Sequence, residues 1–134
     1  LPQDGEVTLD VPLDGESNYR LLLKRMQEIA QEHGLAEEGA ADFMLAVGEA
    51  ATNVLKHAKD GRGQILLSED RIIARISDRG EGIQAEDIPA SILQPGYSTA
   101  VSLGMGYTIM MEMSDCIWLA SGPEGTVVQL ERYL

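Results

Sequence analysis

Two polar side chains interrupt an otherwise apolar helix pattern in the first half of the chain. Glu49 and Asn53 are four residues apart, so on a helix they lie one above the other on the same face. A carboxylate there can act as a general base or orient a hydroxyl nucleophile, and an amide oxygen one turn later can bind a hard cation such as Mg²⁺. Taken alone, the same spacing is also typical of a solvated polar stripe.

Three later segments carry residues that suit the recognition of a nucleotide. Asp78 begins Asp-Arg-Gly-Glu-Gly after a strand pattern, where the carboxylate can accept a hydrogen bond from an exocyclic amine and the glycines allow close backbone approach. Residues 103–106, Leu-Gly-Met-Gly, open a predicted helix whose free amides and dipole favour a phosphate. Gly125 and Thr126 begin the last strand pattern and by themselves indicate only a hairpin turn.

The elements that must position these residues follow from hydrophobic periodicity and turn residues. Val7, Leu9 and Val11 alternate with polar residues and are predicted to share one strand face. Ser17 or Asn18 is the predicted cap of the first helix. Predicted strands cover residues 6–11, 64–68, 71–77, 116–121 and 126–133, and predicted helices cover about 17–33, 37–58, 86–93 and 105–113, with a loop over 94–106. This order favours an α+β layered sandwich.

Length and composition predict one folded, soluble domain over residues 1–134, with 44% hydrophobic and 24% charged residues. The net charge of −12 argues against unaided nucleic-acid binding, which needs basic side chains to neutralise phosphates. No apolar run is long enough to span a bilayer, and no signal peptide is visible. The single cysteine, Cys116, fits a reducing cytoplasm and is expected to be a core residue. The start at Leu1 keeps open a piece excised from a longer protein.

The order of the polar and glycine-rich segments resembles the four ATP-binding boxes of the GHKL superfamily, which includes DNA gyrase, the MutL repair proteins and sensor histidine kinases. Within that superfamily, residues 49–58 resemble the bacterial anti-sigma-factor serine kinases and the related switch-protein kinases, in which a His-Ala pair commonly follows the Asn. Residues 96–99 and 104–106 also resemble the switch-protein kinases and ATP-binding domains attached to serine phosphatases. The resemblance implies a Bergerat fold: a two-layer sandwich whose mixed, mostly antiparallel sheet is covered on one face by about three helices.

The resemblance also implies cofactors, ATP and Mg²⁺, and a role for each matched residue. Asn53 would ligate Mg²⁺, and Glu49 would be the catalytic base or would orient the attacking hydroxyl. The other matched residues would contact the nucleotide, namely Asp78 at the adenine amino group, Gly80, Gly82 and Ile83 around the base, Gly104, Met105 and Gly106 along the triphosphate, and Thr126 at the adenine edge. Residues 86–103 would form a lid over the phosphates.

Three functions stay open on these observations. The preferred one is a Mg-ATP-dependent serine/threonine protein kinase whose substrate is an anti-sigma-factor antagonist, with a sigma factor or regulatory complex as a second partner. The second is a non-catalytic ATP-sensing module, excised from a larger phosphatase-linked regulator. The third is an interaction module with degenerate boxes. We expect a cytoplasmic protein that contacts neither nucleic acid nor membrane, and the choice between monomer and homodimer stays open.

Overall fold

The computed structural model describes residues 5–79 and 101–134, with the side chains of 101–106 left out. The described elements follow the predicted order. They are β1 (Glu6–Leu13), α1 (Glu16–Glu32), α2 (Glu37–His57), β2 (Gly61–Leu67), β3 (Arg71–Asp78), α3 (Val101–Met113), β4 (Cys116–Gly122) and β5 (Gly125–Tyr133). The strands form one sheet in the order β1-β2-β3-β5-β4, and every described pairing is antiparallel. The predicted α+β two-layer fold is therefore confirmed, with a sheet that is more uniformly antiparallel than expected.

The core lies between the three described helices and one face of the sheet. The apolar stripe predicted for α1 is buried, from Leu22 through Met26 to Ala30, and Gly34 ends the helix with a φ of 112°. From α2, Phe43 and Val47 are fully buried. Alternate strand residues complete the core, among them Val11, Leu13, Ile65, Ile72, Ala74, Ile76, Val128 and Leu130. The helices therefore bury their apolar faces on a single side of the sheet.

Two glycines let the helix layer approach β2 closely. A Cβ at Gly63 would lie 2.8 Å from Leu22 Cδ2, and a Cβ at Gly61 would overlap the side chain of Val54. Both residues lie before the predicted start of this strand at residue 64, and that start was wrong, because β2 begins at Gly61. Their small size, and not a turn conformation, explains why glycine stands at these positions.

Two local predictions for the first elements were also wrong. A register shift between Val7 and Leu9 marks a β-bulge, so Val7 is 49% exposed while Leu9 packs against the core. Neither Ser17 nor Asn18 caps α1, because the helix starts at Glu16 after Gly15. The Asn18 amide instead donates a hydrogen bond to the Asp14 carboxylate, at 3.0 Å.

The sheet face opposite the helices carries a buried polar network. Glu131 and Gln129 are 2% and 0% exposed. Arg71 donates to the Glu131 carboxylate at 2.7 Å. The Gln129 side chain accepts a hydrogen bond from Arg75 at its Oε1 and donates one to the Glu131 carboxylate from its Nε2, both at 2.9 Å. Cys116 lies on this side, half-buried and 3.6 Å from the Tyr133 hydroxyl, so its predicted place in the core was wrong.

Candidate functional site

Glu49 and Asn53 lie on α2 to one side of its contact with α1. That contact runs through Thr52, whose hydroxyl donates to the Tyr19 hydroxyl at 3.4 Å, and through Gly48, where a Cβ would lie 3.3 Å from the same oxygen. Each step along a helix turns by about 100°, so Glu49 and Asn53 are turned by about 80° and 120° from the middle of this contact. Both side chains are half-buried, and α2 also contacts α3. The pair is therefore partly covered, and Asn53 points further from α1 than Glu49 does.

A backbone hydrogen bond joins the residues that follow α2 and β3. The Ala58 amide donates to the Val54 carbonyl and closes the helix, and the Arg79 amide donates to the Lys59 carbonyl at 3.0 Å. This second bond brings the last turn of α2, which Asn53 begins, beside the strand end that carries Asp78. Two of the predicted boxes, 25 positions apart in the chain, are therefore joined by a backbone contact.

Asp78 belongs to a row of polar side chains that crosses three strands. Asp78 is the register partner of Thr126, and Thr126 is the register partner of Ser121. The Ser121 and Thr126 hydroxyl oxygens lie 2.9 Å apart, and Thr126 is 7% exposed. The alternation along β3 and β5 puts this row on the helix-facing side, next to the core residues Ile76 and Val128. Hydrogen-bonding groups thus replace apolar ones on the helix-facing side at this end of β3 and β5.

Gly125 sets the distance between the ends of β5 and β3. Its φ is 141°, which side-chain-bearing residues rarely adopt. A Cβ at this position would lie 2.9 Å from Arg79 Cα and would overlap the Asp78 carbonyl oxygen. The glycine is therefore required for the backbone contact that places Thr126 beside Asp78.

Tyr107 on α3 completes the surroundings of Asp78. Its side chain is 2% exposed, and burial, together with the negative charge of Asp78, raises the pKa of Tyr107 to about 12. The phenol is therefore protonated at neutral pH and is a neutral hydrogen-bond donor near a carboxylate. Sequence reasoning missed both Tyr107 and Ser121. The available signals were a tyrosine directly after the Gly-Met-Gly segment, and the position of Ser121 across the hairpin from Thr126.

A comparison with protein-family models matches residues 11–132 of the chain to the histidine kinase-like ATPase domain. This chain belongs to that family. The match spans nearly all the described elements, so the fold described above is that of a histidine kinase-like ATPase domain.

Curated relatives place this ATPase domain near one group of bacterial regulators. The anti-sigma F factor of Caldanaerobacter subterraneus subsp. tengcongensis is 32% identical over 106 residues, which cover 72% of each chain. The anti-sigma F factor of Bacillus licheniformis is 36% identical over 102 residues, which cover 69% of this chain and 68% of that one.

Solved structures share the ATPase fold at lower identity. The RsbU and RsbW domains of Rv1364c from Mycobacterium tuberculosis match with a TM-score of 0.61 and 18% identity over 93% of this chain, which spans only 32% of that longer chain. A chain of the SiaB-SiaC complex from Pseudomonas aeruginosa matches with a TM-score of 0.62 and 13% identity, covering 96% of this chain and 91% of that one. At these identities the likeness establishes the fold.

The structure tests the remaining predicted site residues of the ATPase domain unevenly. Gly80, Gly82 and Ile83 lie outside the described residues, as does most of the predicted lid. Gly104, Met105 and Gly106 lie in α3, which begins at Val101. The predicted start of this helix, at about residue 105, was therefore four residues late, and the predicted loop was wrong over residues 101–104. The two glycines lie in the first two turns of the helix.

The donor set of the site fits a nucleotide-bound magnesium ion. Within residues 5–79 and 107–134, no group of three His, Cys, Asp or Glu side chains could hold a metal by itself. Mg²⁺ in nucleotide sites takes one or two protein oxygens and fills its other positions with phosphate oxygens and water. The half-buried Asn53 amide can supply one such oxygen.

None of the described helices is long and apolar enough to cross a membrane.

Proposed function

We propose that this ATPase domain is a serine/threonine protein kinase of the anti-sigma-factor type, which uses Mg-ATP to phosphorylate an anti-sigma-factor antagonist. The observation that carries the proposal is the junction at the end of β3. There Asp78 lies beside Thr126 and close to Tyr107, and the bond from the Arg79 amide to the Lys59 carbonyl brings the end of α2 next to them. The similarity to anti-sigma F factors at 32% and 36% identity supports the choice of substrate class.

In this proposal adenine and the magnesium ion are held by different elements, β3 and α2. Asp78 at the end of β3 accepts a hydrogen bond from the adenine amino group, with Thr126 beside it at the adenine edge. The phenol of Tyr107 is kept neutral by burial, so it stabilises the Asp78 carboxylate without placing a second negative charge beside it. Asn53 holds Mg²⁺, which supplies charge neutralisation on the phosphates. The nucleotide then extends from the end of β3, which binds adenine, to α2, which binds the metal.

Glu49 acts one turn above Asn53 on the same helix flank. Phosphoryl transfer needs positioning and charge neutralisation more than covalent catalysis. A carboxylate next to the metal-bound phosphates can orient the substrate hydroxyl and accept its proton. Half-burial keeps Glu49 within reach of an incoming side chain while limiting access of water.

A matched pair of carboxylate-to-amide variants tests this role. Glu49→Gln should retain ATP binding and lose at least about a hundredfold in transfer rate, the range expected for a general base. Asp42→Asn is the control, because Asp42 is half-buried on the same flank, two turns and roughly 10 Å before Glu49. Transfer is followed by mass spectrometry of candidate antagonist proteins incubated with Mg-ATP. Equal rates for wild type and Glu49→Gln would refute the catalytic role.

A non-catalytic ATP sensor is the second candidate, and one observation favours it. In the Mycobacterium tuberculosis structure the shared fold is 32% of a longer chain that also contains an RsbU domain. A domain in that setting can act by changing its affinity for a partner when ATP binds. Tight Mg-ATP binding with no transfer to any candidate substrate would favour this function over the kinase.

A further inference from the structure

The sheet face that points away from the helices, called the open face below, has buried side chains of its own. Leu66 and Ile73 lie on this face and are 2% and 1% exposed, although neither belongs to the core between the helices and the sheet. One row of register partners crosses the open face on all five strands, and it consists of Val7, Leu66, Ile73, Glu131 and Cys116. Together with the hydrogen bonds of Glu131 and Gln129, this packing gives the open face a fixed shape.

Three large apolar side chains stand out from the open face. Trp118 and Tyr133 are 43% and 48% exposed, and Val7 is 49% exposed. In the part of the chain that the structure describes, the other exposed large apolar side chains are Leu21 and Leu45, which lie on two different helices. Val7 and Trp118 belong to the two edge strands, about 19 Å apart. Exposed apolar side chains concentrated on one face indicate a binding surface.

Basic side chains are also concentrated on the open face. The described strands place there three of the ten Lys and Arg residues and only two of the 22 Asp and Glu residues, namely Arg62, Arg71 and Arg75 against Asp10 and Glu131. Asp70, in the turn before β3, also pairs with Arg71. Because Glu131 is buried, Asp10 is the exposed carboxylate among these strand residues. On a chain of net charge −12, the open face therefore repels an acidic partner far less than the remaining surface does.

We propose that the open face binds a short acidic segment of a partner protein, which presents carboxylates next to an aromatic or aliphatic side chain. Arginine binds carboxylates through paired N–H groups, and Arg62 has donors beyond the one that it gives to Asp10. Trp118 and Tyr133 supply the apolar contact, and tryptophan, tyrosine and arginine are the residues that dominate binding energy at protein interfaces.

The size of the open face limits the partner to a segment. The sheet is about 19 Å wide and its strands are about 25 Å long, which gives roughly 500 Å². A stable complex between two folded proteins covers about 800 Å² on each partner. We therefore expect a transient contact with an extended or helical stretch of a partner, which a peptide can reproduce.

Binding at the open face leaves the helix side of the sheet accessible. Asp78 and Thr126 face the helices, on the other side of the sheet from Trp118 and Tyr133. The partner segment therefore needs neither ATP nor Mg²⁺ for its own binding, and it does not cover Glu49. A partner held here and a substrate at the opposite side can be bound at the same time.

A display library of random twelve-residue peptides, selected on the full chain, supplies the probe. Enriched peptides should be acidic and contain an aromatic or aliphatic residue. Synthesised without tryptophan, they should shift the emission of Trp118, the only tryptophan in the chain. Their affinity should fall as salt is raised, because salt screens exposed charges. A selection that enriches no peptide, or only basic peptides, or peptides that leave Trp118 emission unchanged, would overturn the proposal.

Two matched pairs of variants locate the contact, and circular dichroism shows that each variant is folded. Arg62→Glu should weaken binding of the acidic peptides by roughly tenfold or more. Arg20→Glu makes the same charge change at an exposed ion pair on α1 and should weaken it by less than about twofold. Tyr133→Ala should also weaken binding about tenfold, whereas Leu45→Ala removes a similarly exposed side chain and should bind as wild type does. Equal effects within either pair would overturn the assignment to the open face.

Two other occupants of the open face are tested with the same proteins. Sedimentation of the full chain alone shows whether its mass rises above 14.5 kDa, and Trp118 emission is recorded with phosphatidylglycerol vesicles in place of the peptides. We expect no increase in mass that Tyr133→Ala abolishes and no shift of emission with vesicles. Either result would assign the open face to a second copy or to a lipid surface, and would overturn the proposal of an acidic protein segment.

Discussion

Replacing Gly125 with alanine should separate the end of β5 from the end of β3. The φ of 141° lies in a region that costs a side-chain-bearing residue about 1–3 kcal/mol. The added Cβ would also overlap the Asp78 carbonyl oxygen and lie 2.9 Å from Arg79 Cα. Both of those atoms belong to backbone that is tied to Lys59, so relief requires β5 to move, at a further cost of about 1–3 kcal/mol.

The sum, about 2–6 kcal/mol, is a large part of the roughly 5–15 kcal/mol that stabilises a domain. For a chain of this size it corresponds to a fall of roughly 8–24 °C in Tm. Urea unfolding gives the free energy, and calorimetry gives the affinity for Mg-ATP. Affinity should fall as well, because Thr126 is displaced from Asp78.

Gly122→Ala is the control at the other end of the same turn. A Cβ at Gly122 would meet no atom within 4 Å, and its φ is not positive. The stability of this variant should stay within about 0.5 kcal/mol of wild type. If Gly125→Ala and Gly122→Ala unfold at the same urea concentration, the close approach of β5 to Asp78 is not what requires a glycine at position 125.

Two further predictions concern buried polar groups. The unfolded chain ionises a tyrosine near pH 10 while folded Tyr107 does so near 12, so the stability that this group contributes is present below pH 10 and lost as pH rises through that window. Unfolding measured against pH should therefore show wild type losing about 2–3 kcal/mol more than Tyr107→Phe between neutral pH and pH 12, and parallel curves would contradict the burial of the phenol. Arg71→Ala leaves the buried Glu131 carboxylate without its cation and should cost about 2–3 kcal/mol in urea unfolding. Arg62→Ala, which breaks the exposed pair with Asp10, should cost less than about 1 kcal/mol. Equal losses of stability in the two variants would contradict a larger contribution from the buried Arg71–Glu131 pair.

The order of the elements and the antiparallel sheet could be predicted because they depend on local patterns. Alternation of apolar residues marked the strands, and the apolar stripe of α1 marked its buried side. The α2 pattern identified Glu49 and Asn53 as polar exceptions, and both are half-buried in the structure. The adjacency of Asp78 and Thr126 followed from family resemblance and agrees with the observed register.

The errors arose where a contact between distant segments decides the local structure. Gly61 and Gly63 look like turn residues, and only the packing of Val54 and Leu22 against β2 shows why they are glycines within a strand. The β-bulge near Val7 leaves no mark in the alternating sequence pattern. One extra residue in the strand moves the side chains before it to the other face of the sheet. Tyr107 was overlooked because its partner, Asp78, is 29 positions away on another element.

The most direct test of the nucleotide site is the calorimetric affinity for Mg-ATP of wild type, Asp78→Asn and Asp70→Asn. Asp78 ends β3 beside Thr126, whereas Asp70 precedes the other end of the same strand, at the turn from β2. An amide at position 78 removes the negative charge and leaves one neutral acceptor oxygen in place of two, so affinity for the adenine amino group should fall about tenfold or more. Asp70→Asn should bind as wild type does. Equal affinity in all three proteins, or no binding by wild type at millimolar ATP, would contradict a nucleotide site at the junction of α2 and β3.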